Sequence, residues 1–153
     1  YPLGEIVRFE FPARGHMPPV TLNWYDGGLK PARPPELEDD DPMRDIIYIG
    51  DRGKLMGDRL IPESRMDSYK KPPKTLPRSP GHHQEWIAAC RGGPPAGSSF
   101  TGHSGLVTEV CLLGNIAVRA EKKLLWDGDK MEFKNDQAAN KLLYREYRQG
   151  WSL

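Results

Sequence analysis

Proline punctuates this chain. The sequence holds 15 prolines, gathered mainly at 31–35, 72–80 and 94–95. That is about double the usual share. The proline ring fixes φ and removes a backbone donor, so it is excluded from helix interiors and central strands. Regular structure is therefore confined to the hydrophobic runs between the clusters. The chain reads as a folded domain with long, stiff loops.

The first run, residues 5–11, alternates Val7, Phe9 and Phe11 against Ile6, Arg8 and Glu10. This period of two predicts a strand with one apolar face. Residues 20–25 repeat the pattern, with Val20, Leu22 and Trp24 set against Thr21, Asn23 and Tyr25. The short turn-rich connection (Pro12, Gly15, Pro18) predicts an antiparallel pair. Residues 26–45 combine Asp-Gly-Gly, prolines and an acidic run from Glu36 to Asp41, and predict a long loop of functional or mobile character. A third strand is predicted at 46–49. Asp51-Arg52-Gly53 turns it, and a fourth begins at Lys54–Met56. A second long loop follows at 62–80.

Helices are predicted in the second half. Ser79-Pro80 suits a helix start, with Ser as cap and Pro in the first turn, and Gly92-Gly93 suits the stop after Cys90. Trp86, Ile87 and Cys90 are its predicted buried side. From Ser104, read as an N-cap, to about Lys122, apolar residues cover more than half of a helix circumference, which predicts tight packing on a sheet. Leu124–Trp126 and Lys130–Phe133 flank Asp127-Gly128 and predict a hairpin. Asn135 is the predicted cap of a last helix reaching Tyr147. Strands precede helices, so the expected class is α+β, with an open, mostly antiparallel β-sheet and helices packed on one face.

With 153 residues, the whole of 1–153 is expected to be one domain. A net charge of +1 argues against a nucleic-acid partner. No run approaches the ~20 apolar residues of a membrane span, so no membrane partner is expected. The opening Tyr-Pro-Leu-Gly-Glu is no signal peptide and reads as entered in mid-protein. Compartment is not legible, whether cytoplasmic or exported. Two cysteines, Cys90 and Cys111, are too few for a disulfide scaffold or a zinc site, and both are expected to be buried thiols.

Catalytic motifs are missing. No Gly-x-Gly-x-x-Gly and no phosphate loop is present. Gly102-His103-Ser104-Gly105 resembles a nucleophile elbow only until Leu106, where glycine is required. His82, His83 and Glu85 are metal-capable, but no second cluster completes a ligand set. Glu36–Asp41 lacks the glycine of a calcium loop and reads as a solvated acidic turn. Trp24-Tyr25-Asp26-Gly27-Gly28 suits a sugar surface, with rings for C–H faces and a carboxylate for hydroxyls; it equally suits a plain strand end. The basic stretch 65–78 suits an anion or plain solvation.

Several segments together resemble one family. They include Val-Arg-Phe-Glu-Phe-Pro-Ala-Arg (7–14), Met-Pro-Pro-Val-Thr-Leu-Asn-Trp-Tyr-Asp-Gly-Gly (17–28) and Arg-Pro-Pro-Glu-Leu (33–37). Further ones are Tyr-Ile-Gly-Asp-Arg-Gly-Lys-Leu (48–55), Lys-Thr-Leu-Pro-Arg-Ser-Pro-Gly-His-His-Gln-Glu-Trp (74–86), Leu-Leu-Gly-Asn-Ile-Ala-Val-Arg (112–119) and Tyr-Arg-Gln-Gly-Trp-Ser-Leu (147–153). In combination they resemble the bacterial-type C-terminal domain of the glucose–fructose oxidoreductase / inositol dehydrogenase / MocA (Gfo/Idh/MocA) family.

The resemblance implies a parent oxidoreductase or dehydrogenase with an N-terminal Rossmann domain that binds NAD or NADP. It implies hydride transfer on a sugar, polyol or derivative, and a homo-oligomer formed through the open sheet face. The family's Glu-Lys-Pro motif has no counterpart, because Glu121-Lys122 is followed by Lys123. The family's Asp and His, four residues apart, also find no match. No catalytic, cofactor or metal residue is therefore assigned, and the chain alone is expected to be inactive and to bind no cofactor. Trp24, Tyr25, Asp26, Lys30, Arg33, Arg65 and His83 remain as candidate substrate-cleft residues, chosen by chemistry and loop position. A free-standing carbohydrate- or protein-binding module is the alternative, and a metal- or serine-dependent enzyme is a third reading.

Overall fold

The computed structural model describes residues 2–44 and 46–151. The predicted start at Tyr1, the loop end at Asp45 and the closing Ser152-Leu153 of the last resembling segment lie outside the described residues. The content is α+β, and the strands form small antiparallel sheets accompanied by helices. The chain divides into two compact units, one made of the residues up to Leu29 together with those from Ser79 onward, the other spanning Lys30–Arg78.

The first unit begins with a hairpin of β1 (Ile6–Phe11) and β2 (Val20–Tyr25). Its register pairs Val7 with Trp24, Phe9 with Leu22 and Phe11 with Val20. Directly paired residues share a face, so the two apolar rows meet on one side, as their alternation demands. Reciprocal bonds between Arg14 and Met17, 3.0 and 2.9 Å, tighten the connection around Gly15, whose φ is +53°.

Helix α1 covers His82–Cys90 and α2 covers His103–Ala120. Both serine caps are corrected by the structure. Ser79 Oγ accepts from Gly81 N at 3.0 Å, two residues too early to cap α1, and Ser104 lies inside α2. The C-terminal half of α2 packs on the hairpin. A Cβ on Gly114 would lie 2.8 Å from the Phe9 ring, so glycine permits that approach. The N-terminal half leaves Leu106 and Val107 exposed, which departs from the tight packing predicted from its pattern. Trp86, Ile87, Cys90 and Cys111 are exposed too. Apolar periodicity marks a helix but does not supply the element that would cover it.

After α2, β6 (Trp126–Asp127) and β7 (Glu132–Phe133) form a hairpin where one is predicted, but Asp127 pairs with Glu132 inside the strands, so the connection is residues 128–131 rather than an Asp127-Gly128 turn, and α3 spans only Gln137–Asn140. Ile116, Phe133 and Ala139 form its buried centre, flanked by Leu113, Leu124, Trp126, Leu142 and Leu143. The Trp126 and Phe133 rings meet edge to face at 5.1 Å. Asp136, not Asn135, caps α3 by accepting from Ala138 N and Ala139 N. Asn135 instead takes a bond from Leu125 N at 2.8 Å and gives one to Lys123 O at 2.9 Å. Asn140 does the same for Phe133, accepting from its N at 2.7 Å and donating to its O at 3.0 Å. Each side-chain amide thus stands in for a strand backbone, offering one donor and one acceptor. The N–H groups of Leu142 and Leu143 bond to carbonyls three residues back, which tightens the chain after Asn140 instead of prolonging the helix to Tyr147.

The second unit is a meander of β3 (Ile47–Gly50), β4 (Gly53–Met56) and β5 (Arg59–Ile61), followed by a 3-10 turn at Glu63–Met66. Met56 and Ile61 project to one face, where Leu37 covers them with Met43 and Ile47. The predicted loop 26–45 is therefore partly a lid on this sheet. Its acidic run is organised rather than solvated. Arg59, largely buried, forms ion pairs with Glu38, Asp41 and Glu63, and Lys54 binds Glu36 through contacts of 2.6 and 2.8 Å.

Candidate functional site

The proposed cleft residues fall in different units, and each unit is described by itself. Trp24 and Tyr25 end β2, and Asp26 opens the turn that leaves it. Asp26 N donates to Glu5 O at 3.0 Å, and its carboxylate accepts from Gly27 N at 2.7 Å. Gly27 has φ +66°, and a Cβ there would lie 2.1 Å from Leu3 O, so the turn requires glycine. Asp26 therefore spends one oxygen on the turn and keeps the other for solvent or a ligand. Beside it the apolar row of β2 is open: Val20, Leu22 and Trp24 are 54, 41 and 59% exposed. Val7, opposite Trp24, is buried under α2. Among the described residues β2 pairs only with β1, so its other edge is also open.

His83 lies in the first turn of α1, exposed, with its ring 4.1 Å from that of His82. Glu85, the third member of the metal-capable group, is engaged elsewhere. Its carboxylate accepts from Gly97 N at 2.9 Å, and hydrogen bonds from Ser79 and Gly97 hold it below the usual carboxylate range. Among the described residues no three His, Cys, Asp or Glu side chains come together in a metal-binding arrangement.

In the second unit Arg33 donates to the carbonyls of Glu38 and Asp41, and so ties the lid segment to itself. Lys30 is exposed. Arg65 donates to Arg52 O at 2.8 Å and lies across Gly53, where a Cβ would come within 2.2 Å of its Nη1. It borders a shallow groove of about 550 Å³ on the sheet face opposite Leu37, lined also by Tyr48, Leu55, Leu60 and Tyr69. Arg65 is legible from the sequence as a candidate, but the two tyrosines are not. Alternation in Ile47-Tyr48-Ile49 puts Tyr48 on the face opposite the half-buried Ile47, whereas Tyr69 sits in irregular chain where no pattern announces it.

The displaced carboxylates share one character. A hydrogen bond from Lys123 lowers Glu10, one from Lys54 lowers Glu36, the Glu63 N–H lowers Glu38, Lys134 lowers Asp127 and Lys122 lowers Asp136. Groups held ionised by partners act as structural anions, not as proton donors near neutral pH. No helix among the described residues is long and apolar enough to cross a membrane. No protein-family model matches the chain, and a search of curated proteins gives no match either.

Proposed function

We propose that the chain is the substrate-side and oligomerisation domain of an NAD(P)-dependent oxidoreductase that transfers a hydride to or from a sugar, polyol or derivative. In this reading a separate Rossmann domain carries the nicotinamide and the catalytic groups. The observation that carries it is the uncovered row Val20, Leu22 and Trp24 on an open-edged strand. A row half covered by α2 and half bare is what an open sheet face awaiting another subunit presents. The Gfo/Idh/MocA-like segments supply the chemistry of the parent. Trp24 and Asp26 would belong to the cleft wall, with the ring against a sugar face and the free carboxylate oxygen on a hydroxyl.

The test is twofold. Calorimetric titration of this chain with NAD and NADP should give no heat of binding, and clear affinity for either would overturn the division of labour. Sedimentation should show self-association that Leu22→Lys abolishes without loss of circular dichroism. A concentration-independent monomer would remove the oligomerisation role. A second reading, a free-standing carbohydrate-binding module, draws on the same exposed Trp24 beside Asp26. Sugar binding by this chain in the absence of any second domain would favour it.

A further inference from the structure

We infer that the groove of the second unit is a binding site for a flat ring that carries a phosphate or a carboxylate. The inference rests on Lys30–Arg78 alone and stands apart from the oxidoreductase reading. The β3–β5 sheet has one face closed by Leu37, Met43 and the ion pairs of the acidic run. The other face carries Tyr48, Leu55 and Leu60, because alternation in three paired strands sends them there together. Tyr48 and Leu55 are directly paired, and Tyr48 keeps 55% of its surface exposed. Leu55 and Leu60 floor the groove, with Tyr69 also on its lining. An apolar floor with tyrosines favours a planar ring, which gains from stacked or edge contacts.

Two arginines give the groove its charge. Arg65 is positioned rather than free: one N–H bonds Arg52 O, and the missing side chain of Gly53 lets Nη1 approach that backbone closely. A guanidinium has five donors, so this bond leaves most of the fork for a ligand. Neither Arg65 nor Arg52 pairs with a carboxylate among the described residues, whereas Arg59 and Lys54 of the same unit do. Asp51 is the one carboxylate on the lining. A fixed planar fork matches two oxygens of a phosphate or carboxylate, which a lysine would not. The groove is shallow, so a ligand would lie on the tyrosines and leucines with one side open to solvent.

The experiment is calorimetric titration of the full chain with phenyl phosphate and, separately, benzoate. Phenol and inorganic phosphate serve as single-feature controls. At least one of the two ring-bearing anions should bind ten-fold or more tighter than both controls, and the tighter one names the preferred anion. R65Q and R52Q should each reduce that preference over phenol at least five-fold, and Tyr69→Ala should weaken binding about three-fold. Circular dichroism and an unchanged midpoint of thermal unfolding show that each variant is folded. If R65Q unfolds, R52Q alone decides. Affinity no greater than that of the controls, or binding indifferent to R52Q, overturns the site.

Discussion

The C-terminal end of the first unit and the whole of the second solve the same problem with different materials. From Leu113 to Leu143, a buried Phe133 is ringed by Ile116, Leu124, Trp126 and Ala139, and two asparagine amides complete the backbone bonding. Among the described residues the second unit has as its hydrophobic centre the smaller cluster of Leu37, Met56 and Ile61. It relies further on Arg59 and Lys54, which hold Glu36, Glu38 and Asp41 over the sheet. Hydrophobic burial is indifferent to pH and little affected by moderate salt, whereas ion pairs respond to both. The two regions should therefore fail under different stresses.

The largest effect is expected from Phe133→Ala, which removes the centre of the C-terminal cluster. A buried aromatic truncation costs about 3–5 kcal/mol, enough to unfold a marginal domain. Thermal denaturation should show the loss, with hydrogen exchange locating it from Leu113 onward. Met56→Ala should cost about 2–5 kcal/mol, placed by hydrogen exchange in residues 46–66. If both substitutions melt the whole chain in one transition, the two units are not separate folding entities and the comparison breaks.

Gly114→Val should cost about 1–3 kcal/mol by overpacking against Phe9, visible as a lower melting temperature. An unchanged melting temperature would mean that α2 does not press on the hairpin as described. The last prediction concerns acid. Glu36 and Glu38 are held below their ordinary range by the Lys54 hydrogen bond and the Glu63 N–H, and Asp136 by the Lys122 hydrogen bond. A depressed folded-state pKa contributes stability that is present above the unfolded value, about 4, and is lost as pH falls through the folded value. Between neutrality and that value the contribution is constant. Below about pH 4, exchange protection should fall first in residues 30–66, where Glu36 and Glu38 help hold the chain over a small core. Simultaneous loss in both units would narrow the contrast.

Much of the local structure is legible without coordinates. The alternation of Val7, Phe9 and Phe11 against Arg8 and Glu10 yields β1, and the like pattern of Val20, Leu22 and Trp24 yields its antiparallel partner, while the register is supplied by the fold. Both long helices also lie close to their predicted spans. The candidate site was less legible. Arg33 and Arg65 looked like ligand groups, but each gives part of its fork to a backbone carbonyl remote from it in sequence. The cysteines looked buried because helical periodicity identifies an apolar stripe without saying whether anything lies upon it.

Strand alternation, helix periodicity, proline and glycine act over a few bonds, and they suffice to place β1 to β4 and the bodies of α1 and α2. Which apolar rows are covered, the replacement of strand backbone by Asn135 and Asn140, and the closing of an acidic run on Arg59 come from the folded arrangement alone. Those outcomes depend on groups brought together from distant positions. Their pairing energies arise only once the intervening chain has folded, and no local pattern encodes them.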